Sequence, residues 1–257
     1  MFAIYKREIQ SFFASPIGYM VIGLFLIFSG LFLWVFKGQF NVFDYGFADL
    51  SKFFAFAPWI FLFLIPAITM KSFSEERKTG TLELLFIKPI PLWKMVLGKF
   101  LGTFTLVIIA LLPTLLYVFT VSELGTTAGN IDMGVVLGSY FGLCFLVASY
   151  TAIGLFASSV TQNQIVAFLL AIILCFICFY GFEGVSTLFS EGNTAVTVAS
   201  FGMKSHFESI ARGVIDTRDL IYLIETEKIQ WATKFKDLLS KTLKLRKIAY
   251  ERNKAFQ

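Results

Sequence analysis

Five long apolar runs alternate with short polar stretches along the chain. They fall at 17–36, 53–70, 100–121, 133–158 and 165–182. An α-helix needs about 20 predominantly apolar residues to cross a hydrocarbon core of about 30 Å, and each run approaches or exceeds that length. The pattern predicts an all-α fold, a polytopic membrane helix bundle with five clear spans. Pro58 and Pro66 in the second run and Pro113 in the third each remove a backbone donor, so kinks are expected there. Residues 1–15, "MFAIYKREIQSFFAS", place Phe2, Ile9, Phe12 and Phe13 near one helical face and Lys6, Arg7 and Glu8 elsewhere. Both a helix lying in the membrane interface and a plain lead-in to the first span fit that pattern. Ser15-Pro16 then reads as the start of the first spanning helix, with serine as cap and proline at the first helical position.

Composition strengthens the membrane reading. The 257 residues are 57% hydrophobic and only 15% charged, with mean hydropathy +0.75. Soluble domains carry roughly 25% charged residues. Cys144, Cys175 and Cys178 all lie inside apolar runs, and the CxxC at 175–178 has no histidine or acid beside it. It reads as small helix residues, without redox or metal chemistry. The first apolar run is too long for the core of a cleavable signal.

The distribution of charge sets an expected orientation. Short cytoplasmic loops carry an excess of Lys and Arg. The N-terminus has Lys6 and Arg7, and the 71–99 loop has Lys71, Arg77, Lys78, Lys88, Lys94 and Lys99, whereas the 122–132 loop has no basic residue. The N-terminus, 71–99 and the 159–164 turn are therefore expected inside, and 37–52, 122–132 and 183–218 outside. From Asp219 onward the chain carries nine basic residues against five acidic, and Ile224, Trp231, Phe235, Leu238, Thr242, Leu245 and Ala249 recur at helical spacing. This is an amphipathic helix, not a span. Parity after five spans puts it outside, against the positive-inside tendency. Either 195–224 supplies a sixth crossing or re-entrant region, or the tail lies outside. The organisation read from the chain is a transmembrane domain at 1–222, with a coupling segment at 71–95, and a charged amphipathic C-terminal helix at 223–257.

The stretch at 71–99, "KSFSEERKTGTLELLFIKPIPLWKMVLGK", is built differently from the other loops. Ser72 and Glu75 have the spacing of a capping box, which predicts a helix start. Glu75 and Glu76 then fall where a helix N-terminus favours negative charge. Gly80 permits a sharp turn. Thr81 is placed to cap a second short helix with Glu83 in its first turn, and Leu82, Leu85 and Phe86 form its apolar face. Lys88-Pro89 and Pro91 end it. Two short capped helices with a mixed charged and apolar face, without a converging set of titratable groups, make a docking element.

"SEERKTGTLELLFIKPI" resembles the acidic-pair, Gly-Thr, Leu-rich signature of ABC-2-type transporter permeases. "YKREIQSFFASPIGYMVIGLFLIFSGLFLW" and "VIDTRDLIY" are similar to the branch of those permeases associated with bacterial gliding motility. The resemblance covers residues 1–222. It implies a permease of the bacterial cytoplasmic (inner) membrane that couples ATP hydrolysis by a separate ABC ATPase subunit to export or mechanical work. It further implies that the segment after the second span contacts the ATPase, through Glu75, Glu76, Gly80, Thr81, Leu82, Glu83, Leu85 and Phe86. The expected partners are that ATPase, a second permease chain and membrane lipid, with no nucleic acid. After Tyr222 the chain departs from the family, which continues into a sixth apolar span.

Other classes are weaker. The chain has no G-x-x-x-x-G-K-[ST] phosphate loop, so no enzyme activity, metal or cofactor of its own is expected, and ATP is assigned to the partner. The five apolar runs contain no ionisable residue of the kind an intramembrane enzyme needs. His206, beside Lys204 and Glu208, reads as a surface residue. Ser29, Gly30, Gly98, Gly102, Gly138, Gly142 and Gly154 read as helix-packing positions. Tyr140, Ser149, Tyr150 and Thr151 fit packing better than a substrate path. A membrane scaffold or ATP-driven mechanotransmitter that moves nothing across the bilayer is the alternative function.

Overall fold

The computed structural model of the chain describes residues 1–81, 91–125, 131–189 and 192–212. Its first helix, α1, covers Phe2–Ala14. The backbone turns extended at Ser15, and α2, Pro16–Gly30, begins on the proline as expected and continues through a π-helical segment, Leu31–Val35. A short α3, Val42–Tyr45, follows, capped by the Asn41 side chain. The next helix, α4, is Ser51–Lys78, and α5 is Leu92–Leu111. A 3₁₀ turn at Leu112–Thr114 joins α5 to α6, Leu115–Leu124. The long α7, Met133–Val160, is capped by Asp132, and α8, Gln164–Phe176, by Asn163. A π-helical segment, Ile177–Gly181, leads to α9, Phe182–Ser186, then α10, Gly192–Ala199, and α11, Met203–Ala211.

Among the described residues, five stretches are long and apolar enough to cross a membrane: Gly18–Val35, Ser51–Lys78, Trp93–Leu124, Met133–Val160 and Gln164–Ser186. The five apolar runs of the sequence thus become five helical stretches. At Pro113, where a kink was expected, the helical path tightens into the 3₁₀ turn. Pro58 and Pro66 lie inside α4, which is one continuous helix.

The helices wrap around α7. Of its most apolar stretch 78% is enclosed, against 22% for the fifth span. It packs most extensively on α4 and next on α8. The core between them is aromatic: Phe25 stacks on Phe61 at 5.1 Å, Phe54 meets Tyr140 edge-on at 5.0 Å, and Trp59 meets Phe179 edge-on at 5.6 Å. Large apolar side chains such as Leu116, Phe119, Leu169 and Ile173 point outward, the surface expected where lipid is the solvent. Glycines set the closest approaches. Gly98 and Gly102 of α5 seat Ile4 and Glu8 of α1, Gly142 of α7 seats Phe207 and Ile210 of α11, and Gly154 of α7 lies against Thr69 of α4.

Two interspan hydrogen bonds join hydroxyls: Ser29 with Tyr117 at 3.1 Å and Thr114 with Tyr140 at 3.0 Å. The side chains of Ser149, Tyr150 and Thr151 are fully buried in the packed interior. Among the described residues, α11 does not continue outward. It folds back beside α7, where Ser139 donates to the Ala211 carbonyl at 3.1 Å. Ser139 lies six residues into α7, so the contact is about 9 Å from that helix end. The sixth crossing or re-entrant region expected at 195–224 falls partly outside the described residues, as does the C-terminal helix expected at 223–257.

Candidate functional site

A 28-residue α4 is about 42 Å long, so it overruns a hydrocarbon core of about 30 Å by roughly two turns. Those turns, Lys71–Lys78, are the first half of the charged stretch singled out in the sequence. The helix start expected at Ser72 is not there. Ser72 lies inside α4, 8% exposed, because the polar positions after Met70 continue the helical path against α5 and α7. The capping-box spacing is present, but there is no helix terminus for it to close.

The second departure concerns Lys99, read above as a loop cation. It sits in the second turn of α5 and is only 2% exposed. An ammonium has three N–H donors, and each meets an acceptor: Glu8 Oε1 at 2.7 Å, the Ser72 carbonyl at 2.7 Å and Glu76 Oε1 at 3.0 Å. The Phe73 ring lies 5.1 Å from the same nitrogen, and Phe73, Met95, Val96 and Leu155 close an apolar shell beside it. Full pairing is what makes a buried cation tolerable, since desolvation costs several kcal/mol per ion. One lysine thus ties three helices together: α1 through Glu8, α4 through Glu76 and Ser72, and α5 through its own backbone. The reading that the spanning helices carry no ionisable residue holds for the apolar runs but not for the helices, which extend beyond them.

The remaining residues of the stretch end the helix. Arg77 donates to the Ser159 carbonyl, bridging α4 to the last turn of α7. Lys78 shares a shallow recess with Gln162, Asn163 and Gln164, so the 161–164 turn lies on the same side as the end of α4. Thr79 donates to the Glu75 carbonyl at 2.9 Å. Gly80 has φ +72, the left-handed region that favours glycine, and turns the chain sharply as expected. Thr81 follows the turn with its hydroxyl 3.4 Å from the Glu76 carbonyl, and the second helix it was expected to cap lies outside the described residues.

Of the predicted interface residues, Glu75 is exposed, Glu76 is buried against Lys99, and Gly80 and Thr81 form the turn. Leu82, Glu83, Leu85 and Phe86 lie outside the described residues. Glu8, Arg77 and Lys99 were not singled out by sequence reasoning. The signal for Lys99 was its position inside a G-x-x-x-G, "GKFLG", as the one charge between Met95 and Leu111: such glycines bring a partner helix close, and a charge between them needs a partner.

At the far end of the fold, Lys204 of α11 pairs with Glu183 at 2.7 Å and with Glu208 at 3.6 Å. Burial pulls its pKa down, but the hydrogen bond that Lys204 donates to Glu183 and the charge of Glu208 outweigh that and hold it above the usual lysine value. Lys204 therefore stays a cation at neutral pH. His206 is half-buried with its Nε2 2.8 Å from the Ser200 carbonyl. No group of three or more His, Cys, Asp or Glu side chains able to hold a metal exists among the described residues.

A search of the curated proteins finds no match to the chain. The sequence profile described as "ABC-2 family transporter protein" matches residues 2–200, which takes in α1, all five spans and the Lys99 cluster. The match covers more than half of the sequence, and the chain belongs to the ABC-2 transporter family.

Proposed function

We propose that the chain is the permease subunit of an ATP-binding-cassette transporter of the bacterial inner membrane, with its N-terminus cytoplasmic. A separate ABC ATPase hydrolyses ATP, and the 71–95 segment receives the force. The observation that carries this reading is the Lys99 cluster. It locks the overrunning end of α4 to α1 and α5, and Arg77 ties the same end to α7. A displacement of the turn at Gly80 is thus delivered to three spanning helices at once. Nucleotide must favour one arrangement energetically for such a shift to occur, and a rigid joint transmits that bias. An ATPase dimer offers two docking grooves, so a second permease chain completes the core. The work done is export or mechanical force, with gliding motility as one setting suggested by the N-terminal resemblance. Stimulation of the reconstituted ATPase by an amphiphilic substrate would assign export.

Gly80→Val tests the docking role. Valine is strained at φ +72, and a Cβ there meets nothing within 4 Å, so packing is untouched. The variant is expected to insert and accumulate normally while losing co-purification of the ATPase, which the unaltered chain should retain at two permease chains per ATPase dimer. Full association of the variant would sink the docking reading. For orientation, Lys78→Cys is expected to resist an impermeant thiol reagent applied to whole cells and to react once the membrane is opened.

A further inference from the structure

Beside the Lys99 cluster lies a cleft of about 510 Å³, between α1, α2, α4 and α5. This falls within the volume range of small-molecule sites. Its wall changes character with depth. Val21, Ile68 and Leu106 form an apolar floor on the spanning helices. Arg7, Lys71 and Glu75 stand at the rim, on α1 and the overrunning end of α4.

The charges in the cleft are balanced: Arg7, Lys71 and Lys99 against Glu8, Glu75 and Glu76. Lys99, Glu8 and one oxygen of Glu76 are spent on each other. What remains is specific. Glu76 Oε2 is buried and has no hydrogen-bond partner. Leaving a buried charged acceptor unpaired costs more than the roughly 1–3 kcal/mol of a neutral group, so Glu76 Oε2 calls for an N–H or O–H donor, and none of the serine and threonine hydroxyls lining the cleft bonds to it. Among the described residues, Arg7, Lys71 and the Glu75 carboxylate form no ion pair, although Lys71 and Glu75 stand one turn apart on α4.

We propose that this cleft binds the headgroup of an aminophospholipid, with the ammonium donating to Glu76 and Glu75, the phosphate at Arg7 and Lys71, and acyl chain on the apolar floor. Each feature selects against a simpler occupant. Balanced charge disfavours a purely anionic lipid, which would satisfy the cations and leave Glu76 unpaired. A trimethylammonium headgroup has no N–H to give. A free zwitterion has nothing to cover the floor. Bound there, the lipid fills the angle between α1 and α4 and stiffens the joint that Lys99 makes.

The test uses the full purified chain, stripped of lipid in detergent, without any ATPase, so its outcome is independent of the docking reading. Native mass spectrometry follows binding of dioleoyl phosphatidylethanolamine, phosphatidylcholine and phosphatidylglycerol at equal concentration. Phosphatidylethanolamine is expected to bind roughly tenfold tighter than the other two, the worth of one charge-assisted hydrogen bond. Arg7→Gln with Lys71→Gln should abolish that binding, and Glu75→Gln should cut the preference over phosphatidylcholine. None of these three residues belongs to the buried cluster, so the variants should keep the melting temperature of the parent. Free phosphoethanolamine at the same concentration should not displace the lipid. Equal retention of the three lipids, a preference that survives all the substitutions, or displacement by free phosphoethanolamine would each overturn the assignment.

Discussion

Lys99→Met is expected to lower the melting temperature of the detergent-purified chain by on the order of 10 °C. Methionine fills nearly the same volume and suits the shell of Phe73, Met95 and Val96, so the loss is not one of packing. It is electrostatic. Removing the ammonium leaves Glu8 and Glu76 facing each other across a buried site, with the Ser72 carbonyl also deprived of its donor. Breaking one partner out of a buried ion pair typically costs about 3–5 kcal/mol, and two carboxylates sharing a site resist joint ionisation. The neutral triple variant Lys99→Met, Glu8→Gln, Glu76→Gln should recover much of the loss, because replacing a whole buried charge set is far milder than orphaning part of it. If the single variant melts with the parent, the cluster does not hold α1 to the bundle, and the rigid joint invoked for force transmission goes with it.

The second large effect is expected at Gly154. A Cβ there would collide with the Thr69 hydroxyl and lie 2.9 Å from the Thr69 Cβ. Thr69 has little freedom to move aside: it is β-branched, fully buried, and donates to the Ile65 carbonyl at 2.9 Å. Because α4 and α7 make the most extensive helix contact of the fold, pushing them apart disturbs the centre of the bundle. Gly154→Ala should cost about 1–3 kcal/mol, as overpacking generally does, and Gly154→Val more. The pair should be coupled. Thr69→Gly should rescue Gly154→Ala, and Thr69→Ala only in part, since its Cβ remains close. Thermal melts of the four combinations measure that coupling; additive losses would show that the two helices do not rely on this contact.

The cluster and the contact at Gly154 differ in how much the sequence disclosed. Gly154 was legible as a packing position, because a glycine inside an apolar helix has few other uses. Its partner was not, since nothing local distinguishes Thr69 from Ser149 or Thr151. Glu76 was singled out without its partners Lys99 and Glu8, and on the assumption of a helix start at Ser72. The local signal, a serine three residues before an acid, is the same whether a helix begins there or passes through. Tertiary packing decided the matter by giving α4 two further turns to lie against α5 and α7.

Hydrophobic run length alone determined the five long apolar helices found among the described residues, for a helix must be long and apolar to satisfy its backbone inside lipid, and that requirement is written residue by residue. Pro16 fixed a helix start, Pro113 a 3₁₀ turn and Gly80 a sharp turn, because their effects act on their own dihedral angles. The tertiary structure decided what those local rules leave open: that α1 lies along α5 on Gly98 and Gly102, that α11 folds back onto Gly142, and that Lys99 leaves water to meet Glu8, 91 residues away in the chain. The reason is physical. A charge in a sequence announces a need for a partner, but which partner it finds depends on distances between helices, and those are set by how closely their small residues let the backbones approach.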